Sequence, residues 1–163
     1  MTILIACLGN NLRGDDGVGV AVARLLHRQS LPPEVTVEEY GIGGVHLVQT
    51  LMSERPHALV VVDCADRGRA PGTVMVIEPE IMDLASLPVA TRHDFLADTH
   101  YTNPEQALAL ARGLGALPDQ VVLVGIQPGE IETLDQELSP SVQAAVEVAA
   151  AEVMAVIRRW ARW

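Results

Sequence analysis

The chain opens on an unbroken apolar run, Ile3-Leu4-Ile5-Ala6-Cys7-Leu8, and residues 2–8 read as a strand buried on both faces. Val18, Val22, Leu25 and Leu26 then recur at i, i+4, i+7 and i+8, one face of a helix that Leu31-Pro32-Pro33 ends. From Glu34 to Tyr40 polar residues alternate with Val35 and Val37, the pattern of a half-exposed strand. Gly41-Ile42-Gly43-Gly44 turns the chain into a short helix carrying Leu47, Val48 and Leu51. Ala58-Leu59-Val60-Val61-Val62 is a second buried strand, and it closes on Asp63. Arg67 to Gly72 is turn-like, so Thr73 to Glu78 reads as the antiparallel hairpin partner of that strand. Residues 79–99 show no period and read as irregular. Asn103 and Pro104 supply a cap and a first-turn proline for a helix through about Leu114. Val121 to Ile126 is a fifth strand, and Ser139-Pro140 starts a last helix that runs to about Ala161.

Strands alternating with helices imply an α/β fold. The expected architecture is a three-layer sandwich in which a twisted, five-stranded, mostly parallel sheet carries helices on both faces. Neither a repeat nor a linker divides the sequence, so residues 1–163 are expected to form a single domain.

Composition narrows the function classes. Hydrophobic residues make up 49% of the chain, which argues against disorder, and aromatics only 3%, so the core must be aliphatic. The formal net charge is −10 and all eleven basic residues are arginine, a balance that argues against nucleic acid as a partner. Met1 leads straight into a strand without a basic leader, and no apolar stretch approaches the ~20 residues needed to span a bilayer. Cys7 and Cys64 fit a reducing compartment, Cys7 as a buried thiol. The expected setting is cytoplasmic, with no membrane partner.

The chemistry concentrates between Gly9 and Gly19. This glycine-rich loop joins a strand to a helix but lacks the Gly-Lys-Ser/Thr ending of a phosphate loop and misses the Gly-x-Gly-x-x-Gly spacing. Asp15 and Asp16 at its tip would repel a phosphate, so the loop points toward a cation. Ligands of open α/β sheets bind beyond the carboxyl ends of the strands. Asp15 and Asp16 follow the first strand, Asp63 ends the third, and His93 and His100 lie in or just beyond the irregular segment. Two carboxylates and an imidazole suit a borderline divalent metal such as nickel or zinc, with coordination positions left open. Each residue also has a structural reading. Asp15 serves as a helix cap or loop brace, Asp16 offsets a helix dipole, and His93 and His100 are surface loop residues. Cys64 is a reduced structural cysteine, and His27, His46 and His57 have no acidic cluster nearby in sequence. Asp63 leans toward chemistry, because a carboxylate closing a valine-rich strand is costly unless something pairs with it.

Taken in order, four motifs carry a resemblance. They are Gly9-Asn10-x-Leu12-x-x-Asp15-Asp16-Gly17-x-Gly19; Gly41-x-Gly43-Gly44; Val62-Asp63-Cys64-Ala65 with Pro71-Gly72-Thr73; and Val124-Gly125-Ile126-Gln127-Pro128. The chain resembles, over essentially its whole length, the [NiFe]-hydrogenase maturation proteases. That resemblance implies an endopeptidase that removes the C-terminal extension of a hydrogenase large-subunit precursor already loaded with nickel. It further implies that Asp16, Asp63 and His100 read the nickel, with His93 as the fallback for the histidine, and that the metal is carried by the precursor, leaving the resting enzyme metal-free. The metal either takes part in the hydrolysis or docks the substrate while a carboxylate acts as general base. The rival expectation is a non-proteolytic, metal-sensing chaperone for the same precursor. A nucleotide-binding domain is a third, which the missing lysine counts against.

Overall fold

A computed structural model of the chain describes residues 1–97, 103–134 and 137–161. The strands are β1 (Ile3–Leu8), β2 (Val35–Gly41), β3 (Ala58–Cys64), β4 (Val74–Ile77) and β5 (Gln120–Ile126). The helices are α1 (Val18–Leu26), α2 (Gly44–Glu54), α3 (Val89–Ala97), α4 (Pro104–Gly113) and α5 (Pro140–Ala161), with short 3-10 turns at Gly14–Gly17 and Leu84–Ser86. The sheet order is β2-β1-β3-β5-β4. The pairings β1 with β2, β1 with β3 and β3 with β5 are parallel, and β4 runs antiparallel at the edge.

Side-chain alternation builds the two faces. Ile3, Ile5 and Cys7 of β1, with Ala58, Val60 and Val62 of β3, pack on α1 and α5. The intervening Leu4, Ala6 and Leu8, with Leu59 and Val61, pack on Leu47 and Leu51 of α2 and Leu108 and Ala111 of α4. The expected three-layer sandwich is thus present, with its central strands buried on both sides.

Three expectations change. The antiparallel strand β4 pairs with β5 and not with its sequence neighbour β3. Ala65 donates to the Ile126 carbonyl, Gly72 to the Gln127 carbonyl and Gln127 to the Thr73 carbonyl. The turn after β3 therefore wraps over the end of β5 and sets β4 on its far side. The segment 79–99 contains α3, held by polar contacts more than by an apolar stripe. The Arg92 guanidinium donates to the carbonyls of Leu84 (3.1 Å) and Leu87 (3.1 Å), tying α3 to the preceding turn. Finally, α5 has 22 residues and a mean hydropathy of 1.4, long and apolar enough to cross a membrane by length and composition. Here its Val142, Ala145, Val146, Ala149, Val153 and Ile157 are buried in the core beside α1.

Candidate functional site

Two glycines let the chain close in at the carboxyl end of the sheet. Gly9 has φ +136°, and a side chain there would place its Cβ 2.1 Å from the Asp16 carbonyl. The loop folds back on β1 through Asn10 N–H to the Asp16 carbonyl (3.1 Å), while Gly9 N–H donates to the Gly41 carbonyl (2.8 Å). A Cβ on Gly19 would lie 2.0 Å from the Leu8 carbonyl and 2.9 Å from that of Val62. Only glycine allows α1 to start this close to the strand ends that precede Asp63. Asp63 emerges on the same face as Leu59 and Val61, toward the N-terminus of α4.

Asp16 and Asp63 line one open pocket of about 340 Å³, shared with Leu8, Arg13, Ile42 and Asn103. Asp63 is 8% exposed, and its Oδ1 accepts one hydrogen bond, from Cys64 N–H at 2.8 Å. Among the described residues no basic side chain pairs with it. Burial, and then the charge of Asp16, push its carboxyl up to about 7 against the pull of the Cys64 N–H. Asp16 is partly exposed, and its carboxylate has no hydrogen-bonding partner among the described residues. A cation entering between the two would relieve their repulsion and stabilise Asp63 as a carboxylate. The Cys64 thiol, half-buried beside them, is pushed up to about 12 by burial and by the carboxylates of Asp63 and Asp16, and stays neutral. Cys7, a buried free thiol as expected, is likewise raised to about 12, by burial first and then by Glu39 and Asp63.

Asp15 has the opposite surroundings. It is fully buried, and its Oδ2 accepts from Gly129 N–H (2.8 Å), Glu130 N–H (2.9 Å) and the Ser139 hydroxyl (2.8 Å). Its Oδ1 accepts from Ser139 N–H at 2.7 Å. Burial alone would raise its titration; the bonds from Glu130, Ser139 and Gly129 outweigh it and hold the carboxyl below the ordinary value. Of its two structural readings the loop brace is the one present: Asp15 straps the Asp16 loop to the segment between β5 and α5. Arg13 adds a second tie, Nε to the Ile131 carbonyl at 3.2 Å.

The structure therefore brings Asp16 and Asp63 together and separates Asp15 from them in role. His100 lies outside the described residues. His93 is exposed on α3 and is not among the side chains lining the pocket. Among the described residues no group of three or more His, Cys, Asp or Glu is arranged to hold a metal ion. His57 accepts from Thr2 N–H (3.1 Å) and His46 meets Gln49 (3.3 Å), in keeping with structural roles. Ile42 and Asn103 belong to the pocket wall, which the sequence reading did not foresee. The signal was positional: both sit just past a strand end or at a helix start facing the crevice.

Comparison with known proteins places this geometry. Residues 20–156 match the family model for hydrogenase maturation protease, HycI. The chain is 35% identical over 156 residues to the hydrogenase expression/formation protein HupM of Azotobacter chroococcum mcd 1, covering 95% of this chain and 71% of that one. It is 30% identical over 160 residues to the hydrogenase 2 maturation protease of Escherichia coli K12, covering 97% and 92%. The hydrogenase maturating endopeptidase HybD from E. coli superposes with a TM-score of 0.77 at 27% identity, over 98% of this chain and 93% of that one. Sequence and fold agree along nearly the whole chain, which belongs to the hydrogenase maturation protease family and is a peptidase.

Proposed function

We propose that this peptidase removes the C-terminal extension of a nickel-loaded [NiFe]-hydrogenase large-subunit precursor, in the cytoplasm, and that it reads the precursor's nickel directly. The observation that supports this most is the Asp16–Asp63 pair: two carboxylates facing one pocket, one of them buried, with no basic partner among the described residues. Burying such a charge is costly unless an opposite charge arrives, and a substrate that brings its own cation supplies one. Nickel held by the precursor's thiolates keeps open positions that Asp16, Asp63 and His100 fill. So placed, the metal polarises the scissile carbonyl or activates water. Asp63, titrating near neutrality, is suited to take the proton of the attacking water where it is not bound to the metal.

The test is mass spectrometry of the precursor, with and without nickel, after incubation with this protein. Nickel-dependent loss of the C-terminal extension is expected, and Asp16→Asn or Asp63→Asn should abolish it while the fold persists. Equal trimming of nickel-free precursor would overturn the nickel reading. A stable complex whose precursor mass never changes would favour the holding chaperone.

A further inference from the structure

The 340 Å³ pocket does not end at Asp63. A second pocket, of about 220 Å³, continues on the far side, walled by Ala65, Asp66, Arg67 and Glu105. The two share Asp63, Cys64, Asn103 and Pro104, so together they form one cleft whose waist these four residues make. Both lobes mix charged and apolar side chains, Arg13 and Asp16 with Leu8 and Ile42 in the first, Asp66, Arg67 and Glu105 with Leu123 in the second. The second is rimmed by the exposed Arg67–Glu105 pair at 3.4 Å. The first carries Ile42, whose surface is 54% exposed although it stands in the wall of the pocket that holds both carboxylates. Ile42 sits in the turn between β2 and α2, where Gly43 N–H donates to the Tyr40 carbonyl (2.8 Å) and Gly44 N–H to that of Ile42 itself (3.2 Å). Its backbone is thus fixed while its side chain faces solvent.

An endopeptidase must seat residues on both sides of the bond it cuts. We infer that the scissile peptide lies across this waist and that Ile42 forms an apolar subsite for a precursor side chain adjoining the scissile bond, the second lobe taking the chain on the other side. The inference rests on the proposed reading of Asp63 as the centre of the site. The occupant is the precursor polypeptide, because an apolar side chain left open within the reaction pocket of a peptidase becomes covered only when substrate is present. Covering it adds binding that persists from the bound substrate to the transition state, so its loss raises KM and leaves kcat in place.

Steady-state cleavage of the nickel-loaded precursor tests this with Ile42→Val, Ile42→Ala and Ile42→Asp, against precursors in which each residue flanking the scissile bond is changed to alanine in turn. Ile42→Ala is expected to lower kcat/KM about tenfold through KM. Ile42→Asp should lower it further, and Ile42→Val should nearly restore it. One of the substrate changes should make Ile42→Ala silent, the non-additivity of two groups in contact. Melting temperatures should barely move, since Ile42 is an exposed side chain. Unchanged KM for Ile42→Asp, or losses that add for every substrate, would overturn the subsite. Asp63→Asn run in parallel separates the two readings. If it is inactive while Ile42→Asp cuts normally, only the subsite fails; if it cuts normally, the site itself is wrong.

Discussion

Asp15 and Asp63 are both carboxylates buried at the carboxyl end of one sheet, 0% and 8% exposed, and their surroundings have opposite consequences. Asp15 meets four donors and is held ionised; Asp63 meets one donor and a like charge and is pushed toward its neutral form. Burial therefore does not tell a satisfied acid from an unsatisfied one. What separates them is whether the protein itself satisfies the charge. Where it does, the carboxylate holds the fold; where it does not, burial and the neighbouring charge push the carboxyl toward its neutral form.

The sharpest way to break this comparison is Asp63→Asn. Cleavage of the nickel-loaded precursor is expected to fall by about 10³-fold, the scale of losing a metal ligand or general base at the reacting centre. Stability should move the other way. In the unfolded chain Asp63 gives up its proton near 3.8 and in the folded chain near 7. Between those values the folded state binds more protons, so stability falls as pH rises, and above 7 the full penalty is present. Its size is on the order of 4 kcal/mol. Urea unfolding of the substrate-free enzyme should show Asp63→Asn more stable than wild type at pH 8 and indistinguishable from it near pH 4. A mutant less stable at pH 8 would mean that Asp63 is satisfied after all.

Asp15→Ala should give the mirror image. Removing the acceptor strands the donors of Gly129, Glu130 and Ser139, at about 1–3 kcal/mol for each one that water cannot reach, so a loss of roughly 3 kcal/mol or more is expected at pH 7. The folded Asp15 titrates below its ordinary value. Its stabilisation is therefore present above the ordinary carboxylate range and lost as pH falls through the folded pKa. The deficit of Asp15→Ala should shrink in acid, in a window below the one where Asp63→Asn gains. A deficit independent of pH would show that the strap works by packing alone.

A smaller effect isolates the coupling between the two acids of the pocket. Asp16 is the second cause of the raised Asp63 titration, after burial. Asp16→Asn should move the Asp63 carboxyl downward while leaving it above the ordinary carboxylate range, because burial remains. Carbon-13 NMR of the carboxyl groups reads this directly, and no movement would place the acids too far apart to share one cation.

How much of this was legible in the sequence follows from where each signal lives. The alternation in β1 and β3 and the turn residues after them specify strands, crossovers and the crevice, and so put Asp15, Asp16 and Asp63 at one end of the sheet; the choice of Asp16 over Asp15 comes from the family resemblance. Three of the four donors to Asp15 are backbone N–H groups 114 to 124 residues away, which leave no trace in side-chain pattern, and the fourth, the Ser139 hydroxyl, reads in sequence only as a helix cap. The pairing of β4 was misread because a short edge strand carries no mark of its neighbour. That choice is made by three backbone hydrogen bonds over the end of β5. Helix α3 escaped notice because Arg92 holds it through carbonyls, without the apolar periodicity that identifies a helix. Ile42 reads in sequence as one more turn residue, and only its place in the pocket wall gives it a role.

The mildest perturbation tests whether the rim of the cleft is as separable from its chemistry as the comparison implies. Asn103 was legible as a helix cap and is one: its Oδ1 accepts from Gln106 N–H at 2.8 Å, and the Gln106 side chain accepts from Asn103 N–H at 3.2 Å. It also lines both lobes of the cleft. Asn103→Ala should cost about 1 kcal/mol in thermal or urea unfolding, the ordinary value of a cap. Asn103→Asp keeps the acceptor and suits the helix N-terminus, so stability should return to within a few tenths of a kcal/mol. That substitution nevertheless brings a third carboxylate to the pocket, which should raise the Asp63 titration further and slow cleavage below neutral pH. If Asn103→Asp restores the helix and leaves the pH profile untouched, Asp63 does not feel charge at the cleft rim, and its elevation comes from burial and Asp16 alone.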